Sequence, residues 1–334
     1  MKRITIPAGR DVNLDIGGKV VSLTNLEKPF WKNLGLKKRD LLQYYADMAD
    51  VLVPHLAGRA MVMKRYPNGA EGDFFYMKRT PDYSPDWIEQ CVIPHNAGPV
   101  NFPIINDLAS LLWIINLGCI DLNPWYARCD DWDRPDFLHF DLDPGPGSGF
   151  PEVRETSLRL RDLLRELGIE SSAKTTGSKG IHMYVPIRRG PLQKEVWTVA
   201  KAVAIQMESM YPNLVTAEYR KVNRPHGRIL VDYNQNAWGR TLASIYSVRP
   251  TPKASVSMPV TWEEIESGVE IEDFTVFNAR ERVDREGDLW KPMLHSRGRV
   301  DLEKTFARTA ARKTAASRRG PTAKTTPKPS ARKK

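Results

Sequence analysis

Residues 137–145, FLHFDLDPG, are the most informative stretch of this 334-residue chain. Apolar and polar side chains alternate along it as in a β-strand, and Pro144 and Gly145 end that strand. Because successive side chains of a strand point to opposite faces, Asp141 and Asp143 share one face while the apolar residues between them face the core. A plain turn is the alternative interpretation, since Asp-Pro and Pro-Gly commonly end strands.

A third carboxylate favours a functional site over a turn. Asp232 ends a second apolar stretch, ILVD, at residues 229–232. Carboxylates gathered in one place repel one another unless a cation lies among them, and a hard divalent ion, Mg²⁺ or Mn²⁺, suits an all-oxygen site. Two-metal phosphoryl transfer needs such a cradle. The three aspartates therefore indicate a nucleotidyltransferase first and a metal-dependent nuclease second.

A glycine-rich turn, TGSKG at residues 176–180, has the features of a triphosphate pocket. It joins two predicted strands, residues 172–175 and 181–185. Glycines let backbone N–H groups converge on an anion, while hydroxyls and one lysine add donors and charge. The cations available to such a pocket are Lys179, His182, Arg240 and Arg249. A simple hairpin is the alternative, and the triphosphate pocket is what separates a nucleotidyltransferase from a nuclease.

The hydrophobic periodicity predicts an α/β body. We expect a mixed central sheet that carries the three aspartates, flanked by helices. Helical spacing of apolar residues predicts helices at 37–56, 104–116, 151–167 and 191–211. A further strand is predicted at 243–248.

Two surface features indicate nucleic acid. Lys38 opens the first helix, the end where the macrodipole disfavours cations, which indicates either a bound anion or a solvated basic turn. Phe74 and Phe75 lie beside Lys78 and Arg79. Aromatic residues interleaved with basic ones can stack bases and hold phosphates, although such clusters are more often core and rim.

Charge is concentrated at the C-terminal end of the chain. The formal net charge is +10, and ten lysines and arginines with no acidic residue lie in residues 305–334. Subtracting these from the 50 basic residues leaves 40, equal to the 40 acidic residues, so the body is neutral. We predict a folded domain at residues 1–296 and a disordered basic tail at 297–334, of a kind that binds polyanions non-specifically.

Cysteine usage and hydropathy suit a cytoplasmic protein. Cys91, Cys119 and Cys129 are too few and too scattered for a disulfide framework, and no Cys-x-x-Cys pair occurs. No stretch resembles a signal peptide, and the longest apolar run, residues 108–117, is too short to span a bilayer. We expect a cytoplasmic location and no membrane partner.

Several segments together resemble the polymerase domain of bacterial DNA ligase D, a member of the archaeo-eukaryotic primase superfamily. They follow the order of that family: LTNLEK at 23–28, FF at 74–75, FDLDPG at 140–145, TTGSKGIH at 175–182 and VDYNQN at 231–236. The resemblance extends through essentially the whole body and implies a primase-polymerase type of fold. It also implies templated addition of nucleotides at DNA ends in non-homologous end joining, with ribonucleotides accepted and often preferred, and with two Mn²⁺ or Mg²⁺ ions, Mn²⁺ being favoured.

The resemblance also implies a role for each matched residue. Asp141, Asp143 and Asp232 would be catalytic and carry the metal ions. The incoming nucleotide and its phosphates would contact Thr176, Ser178, Lys179, His182, Gln235, Arg240 and Arg249. The 5′-phosphate of the downstream strand would bind Lys28 and Lys38, while Phe74 and Phe75 would stack against the template at the break.

Some positions depart from the family pattern. Asn123 stands where a histidine is common, and Thr176 stands where serine is usual. His139 shares the strand face of the aspartates and could approach the metals, although isolated strand histidines are usually structural. No ligase module or lysine-centred adenylation motif is evident, so we expect a stand-alone polymerase.

The expected partners are DNA ends with a 5′-phosphate, in gapped or overhanging duplexes, together with a DNA ligase and a Ku-type end-binding protein. The expected location is then the cytoplasm, in association with the nucleoid. The rival functions are a primase that starts chains de novo and a non-catalytic module that bridges DNA ends. A pure DNA binder gains nothing from concentrated negative charge facing DNA, so the three aspartates argue against the bridging module.

Overall fold

A computed structural model gives the fold of residues 3–95, 97–295 and 297–305. The α-helices in these residues are α1 (Lys38–Leu56), α2 (Leu108–Asn116), α3 (Phe150–Glu166), α4 (Gln193–Met210), α5 (Trp262–Glu266) and α6 (Ala279–Glu286). The strands are β1 (Val12–Ile16), β2 (Lys19–Leu23), β3 (Pro29–Trp31), β4 (Leu36–Lys37), β5 (Met61–Arg65), β6 (Phe75–Met77), β7 (Gln90–Ile93), β8 (Val100–Pro103), β9 (Cys119–Pro124), β10 (Phe137–Pro144), β11 (Ser172–Thr175), β12 (Ile181–Pro186), β13 (Val215–Thr216), β14 (Ile229–Asp232) and β15 (Pro259–Val260).

The strand predicted at residues 137–145 is β10, and it lies inside a six-stranded sheet of order β13-β14-β10-β12-β11-β15. Its neighbours β12 and β14 are antiparallel to it, and β13 pairs with β14 in parallel, so the sheet is mixed. Phe140 and Leu142 are fully buried on the sheet face against which α3 and α4 pack. The predicted mixed α/β architecture is therefore confirmed.

A smaller sheet lies beside the large one and completes the functional face. In it β5 pairs with β6 on one side and with β9 on the other, both antiparallel. Helices α1 and α2 pack against each other, and their buried residues join the same hydrophobic core as β5 and β9. This arrangement brings residues 61–65 and 119–124 to the same side of the body as the aspartates.

Two predicted elements differ in the structure. The helix predicted at 104–116 begins only at Leu108, because the carboxylate of Asp107 caps it by accepting a hydrogen bond from the Ser110 N–H at 2.8 Å. No strand forms at 243–248. The Ser244 N–H donates instead to the Leu122 carbonyl, and Tyr246 has a left-handed backbone with φ 56°.

The cysteines also form a pair that the sequence analysis did not foresee. Cys91 on β7 is disulfide-bonded to Cys129, with the two Cα atoms 5.6 Å apart. Cys119 is free and buried. A single bridge is not the framework that was ruled out, but it ties the β7–β8 hairpin to the loop after β9.

The packed body continues beyond the predicted boundary at residue 296. Leu302 is buried in the core, Val300 bridges to Ile187, and the Arg299 guanidinium donates to the carbonyls of Asp136 and Ile187. Residues 297–305 therefore belong to the body and not to the basic tail. The rest of the predicted tail, residues 306–334, lies outside the described residues. No helix in the described part of the chain is both long and apolar enough to cross a membrane.

Candidate active site

Four polar residues form one row across the large sheet. In the strand register Asp141 is opposite Asp232 on one side and His182 on the other, and His182 is in turn opposite Lys174. Residues opposite each other on paired strands point to the same face. Asp143, two residues after Asp141, points to that face as well. The structure thus places the three predicted aspartates together.

Burial and the charge of Asp141 raise the pKa values in this group of aspartates. Repulsion from Asp141, followed by burial, raises the pKa of Asp143 to about 7. Burial raises the pKa of Asp141 to about 6, and burial together with the charge of Asp141 raises the pKa of Asp232. The Oδ1 atom of Asp141 is buried and accepts no hydrogen bond. These carboxylates form a concentrated negative site that Lys174, Lys179 and Arg249 offset only in part, and a further cation would stabilise it.

The three carboxylates are the kind of ligand that a hard divalent cation prefers, but in the structure they are not arranged around a single point. Among the described residues no group of three His, Cys, Asp or Glu side chains is arranged to hold a metal. The oxygens of Asp232 are held by its own loop, since they accept hydrogen bonds from the Asn234 N–H at 2.8 Å and from Gln235 Nε2 at 2.9 Å. Oxygen-only donors, mutual repulsion and the unpartnered Oδ1 fit Mg²⁺ or Mn²⁺.

A cavity of about 240 Å³ opens beside the aspartates. Of the seven predicted nucleotide-binding residues, those that line it are Thr176, Ser178, Lys179, His182 and Arg249. The other two are not among its lining residues. Gln235 donates to Asp232, and Arg240 is exposed on the loop that follows. Asp141 and Asp143 also line the cavity, so a ligand in it would contact the carboxylates and the cations together.

The glycine turn is organised differently from the prediction. The backbone N–H groups of Ser178, Lys179 and Gly180 converge on the Thr176 hydroxyl oxygen, each at 3.1 Å, and not on open space for an anion. A Cβ on Gly180 would lie 2.0 Å from the Leu142 carbonyl oxygen, so the turn can approach β10 only with glycine there. Thr176 thus shapes the turn, and the positive charge at this part of the cavity comes from side chains.

Residues outside the predicted site also line the cavity, among them Lys64, Asp121 and Asn123, the position at which the family commonly has a histidine. Asp121 is buried, and its carboxylate lies 3.7 Å from both Lys64 Nζ and Arg249 Nε. Burial raises the pKa of Asp121 although both cations oppose the change. The sequence signal was the strand alternation that places Asp121 on the same face as Asn123.

Lys28 and Lys38 line a second cavity, of about 480 Å³. Lys38 is buried and donates to the Thr24 carbonyl at 2.7 Å, while Lys28 donates to Asn68 at 3.2 Å. Burial, followed by the charge of Lys28, lowers the pKa of Lys38 to about 8. Arg65 adds a third cation that the prediction missed. Three cations in one open cavity fit a phosphate.

Two consecutive residues of β5 line different cavities. Lys64 points into the cavity beside the aspartates and Arg65 into the cavity of Lys28, because successive strand residues face opposite sides. Phe74 and Phe75 lie close to this strand and are 49% and 45% exposed. Lys64 lies 4.1 Å from the Phe74 ring centre and Arg65 lies 5.3 Å from that of Phe75. The aromatic pair is therefore an exposed surface beside Lys64 and Arg65, which line different cavities.

His139 is a core residue. Its ring is fully buried, 3.9 Å from the Tyr126 ring centre and 5.3 Å from that of Tyr184. Burial lowers the pKa of His139 to about 3. A neutral ring between two tyrosines supports the structural interpretation of this histidine over that of a metal ligand.

The sequence comparison identifies the family. Residues 37–290, well over half of the chain, match the family described as LigD, primase-polymerase domain. The chain belongs to the LigD primase-polymerase domain family. The resemblance on which the site residues were selected is thereby confirmed at the level of the family.

Similar LigD proteins come from several bacteria. The multifunctional non-homologous end joining protein LigD of Mycolicibacterium smegmatis is 34% identical over 275 residues, which are 82% of this chain and 36% of the relative. The bifunctional non-homologous end joining protein LigD of Bacillus subtilis is 28% identical over 80% of this chain and 43% of the relative. The chain thus spans less than half the length of these relatives.

A solved LigD structure has the same fold. The polymerase domain from Mycobacterium tuberculosis ligase D, in complex with DNA, aligns with a TM-score of 0.77 at 30% sequence identity. The alignment covers 82% of this chain and 98% of the solved chain. The described body is therefore nearly the whole of a LigD polymerase domain.

Proposed function

We propose that this chain is a template-directed nucleotidyltransferase that extends primers and fills gaps at double-strand breaks in non-homologous end joining. The observation that carries the proposal is one cavity lined by the carboxylates of Asp141 and Asp143 and by the cations Lys179 and Arg249. The carboxylates suit metal ions bound to phosphate, and the cations suit the triphosphate itself. Membership of the LigD primase-polymerase domain family supports the same chemistry.

In the proposed reaction the 3′-hydroxyl of a primer attacks the α-phosphate of a nucleoside triphosphate, and pyrophosphate leaves. Asp141, Asp143 and Asp232 would hold two divalent ions, Mn²⁺ or Mg²⁺, which when bound lower the pKa of the attacking hydroxyl and neutralise the phosphates. Lys179 and Arg249 bind the triphosphate and compensate the charge that develops on the leaving pyrophosphate. His182 lines the same wall of the cavity.

The second cavity gives the proposed enzyme its substrate preference. Lys28 and Lys38 bind the 5′-phosphate of the strand downstream of a gap, with Arg65 beside them. Phe74 and Phe75 stack on the template bases at the break. A DNA ligase and a Ku-type end-binding protein are the partners this activity requires. The solved relative is in complex with DNA, which supports this use of the surface.

A primer-extension assay tests the proposal. A labelled primer on a gapped duplex with a 5′-phosphorylated downstream strand is incubated with Mn²⁺ or Mg²⁺ and either ribonucleotides or deoxyribonucleotides. We expect extension by the templated nucleotide, with ribonucleotides favoured. Asp141→Ala should abolish extension with little loss of DNA binding, whereas Asp162→Ala, an exposed acid on α3, is the matched control and should leave extension unchanged.

The rival functions give different products in the same assay. A nuclease shortens the labelled strand, a primase makes products from an unprimed template, and an end-bridging module binds the duplex without extending it. A shortened labelled strand contradicts the proposal, and so does binding of the duplex without any extension. Extension that does not depend on the template sequence contradicts the templated mechanism.

A further inference from the structure

Lys174 is a fully buried lysine next to the proposed nucleotide site. Its relative exposure is 0%, and it lies on β11 at the end of the polar row that runs through His182 to Asp141. Its ammonium Nζ lies 2.7 Å from His182 Nδ1 and 2.5 Å from the Ser257 hydroxyl oxygen. No function considered above uses this side chain.

The hydrogen bonds around Lys174 have a defined direction. The Ser257 hydroxyl donates its proton to the Thr175 carbonyl at 2.9 Å, so its oxygen accepts from Lys174. A charged amine has three donors and no acceptor, so it also donates to Nδ1 of His182. The ring proton of a neutral His182 must then lie on Nε2.

The Nε2 atom faces the site. It lies 3.2 Å from Oδ1 of Asp141, yet that oxygen accepts no hydrogen bond, so the N–H is not directed at the carboxylate. His182 lines the 240 Å³ cavity, the place where the proposed function puts a nucleoside triphosphate. The N–H is therefore available to a phosphate oxygen.

We propose that Lys174 is a positioning residue, which fixes His182 in the tautomer and orientation that present Nε2–H to the phosphates of a bound nucleotide. The nature of the ligand rests on the proposed function, whereas the tautomer is a property of the free protein. Lys174 is not among the described residues that line the cavity. The hydrogen bonds of its amine go to His182 and Ser257 and not to a metal-binding carboxylate.

Packing alone does not require an amine at this position. Methionine has a similar length and shape, and it can be buried without removing a charge from water. Burial and the nearby charge of Arg249 make an ammonium costly at this position, and the Asp141 carboxylate on the same row is the group that favours it. A purely structural lysine would therefore be replaceable by methionine without loss.

Nitrogen NMR of the free protein tests the tautomer. With only six histidines in the chain, ¹⁵N-histidine labelling gives a readable spectrum, and the His182→Gln variant assigns the His182 signals. We expect wild type to show a protonated Nε2 and an acceptor Nδ1, and Lys174→Met to show a mixture of tautomers. Identical His182 signals in the two proteins would overturn the proposal.

Nucleotide binding and kinetics test the consequence. In Lys174→Met we expect KM for the nucleotide to rise roughly tenfold or more, as for loss of a well-placed hydrogen bond to a charged group, with little change in DNA affinity. Thermal stability should be equal to or above that of wild type. If Lys174→Met does not fold, Lys174→Gln retains a donor in a shorter side chain and should show an intermediate KM. An unchanged KM in a folded variant would contradict the role.

A double-mutant cycle shows whether Lys174 acts through His182. The double variant Lys174→Met, His182→Gln should bind nucleotide no more weakly than His182→Gln alone. If the two substitutions weaken nucleotide binding by factors that multiply in the double variant, Lys174 acts independently of His182 and the proposal is overturned. Equilibrium binding of a nucleoside triphosphate replaces KM if wild type does not extend primers, so failure of the proposed function is distinguished from failure of this inference.

Discussion

Replacing Asp143 with asparagine should stabilise the metal-free protein while abolishing nucleotide transfer. The pKa of Asp143 is raised from 3.8 to about 7, first by the charge of Asp141 and then by burial. The folded protein therefore holds this proton more tightly than the unfolded chain does. The ionised carboxylate costs stability in full above pH 7, and that cost disappears as the pH falls towards 4.

The magnitude follows from the same shift. The difference between 3.8 and about 7 corresponds to about 4 kcal/mol at the usual 1.4 kcal/mol for each pKa unit. Solvent reaches the half-buried side chain and counter-ions screen the pair, so we expect about 1–3 kcal/mol of extra unfolding free energy for Asp143→Asn at pH 8. In a body of this size that is roughly 2–6 °C in Tm.

Thermal melts in EDTA measure the effect. Asp143→Asn should melt above wild type at pH 8, and the gain should fall to about a third at pH 5, where wild-type Asp143 is protonated in the fold. Added Mn²⁺ should raise the Tm of wild type more than that of the variant, because ligand binding to the folded state stabilises it. The extension assay on the same samples should show no product from the variant.

Asp288→Asn is the matched control, with the opposite sign. Burial alone would raise the pKa of Asp288, but its hydrogen bonds from His55 at 2.8 Å and Tyr246 at 2.9 Å, with the charge of His55, lower it overall. Its ionised form therefore stabilises the fold at pH 8, and the substitution should lower Tm there. If Asp143→Asn also melts below wild type at pH 8 in EDTA, the carboxylates are not in repulsion and the reasoning is wrong.

Two further predictions concern DNA binding, and one concerns the packing of the loop after β10. Because the pKa of Lys38 is lowered to about 8, the preference for a 5′-phosphorylated gap should weaken between pH 7 and pH 9.5 in fluorescence anisotropy, and Lys38→Arg should keep it; a pH-independent wild type would contradict this. Gly147→Ala should lower Tm and the extension rate, because its Cβ would lie 1.9 Å from the His226 ring at φ +81°, whereas Gly190→Ala meets no atom within 4 Å and should change neither. Deleting residues 306–334 should weaken DNA binding and flatten its salt dependence without changing extension at saturating DNA; an inactive truncated protein would show that the tail belongs to the catalytic body.

Local pattern was enough to predict the central strand and most helices. Alternation along β10 placed Asp141 and Asp143 on one face, because successive side chains of any strand point to opposite faces, and the apolar stretch before Asp232 matched β14, which is buried on both faces. The same reasoning failed at 243–248. Apolar residues there are buried in the core, but the backbone pairs only through an isolated bridge between Val248 and Val256, and periodicity cannot distinguish this from a full strand.

What the sequence alone determined is therefore the family and the residue types of the candidate site: three carboxylates at strand ends, a glycine turn with cations, and a match to the LigD primase-polymerase domain family. What only the tertiary structure decided is which distant groups meet. The register of β11 and β12 set Lys174 against His182, and the packing of β9 beside the large sheet placed Asp121 between Lys64 and Arg249. These pairings depend on contacts between residues far apart in the chain, which no local pattern encodes.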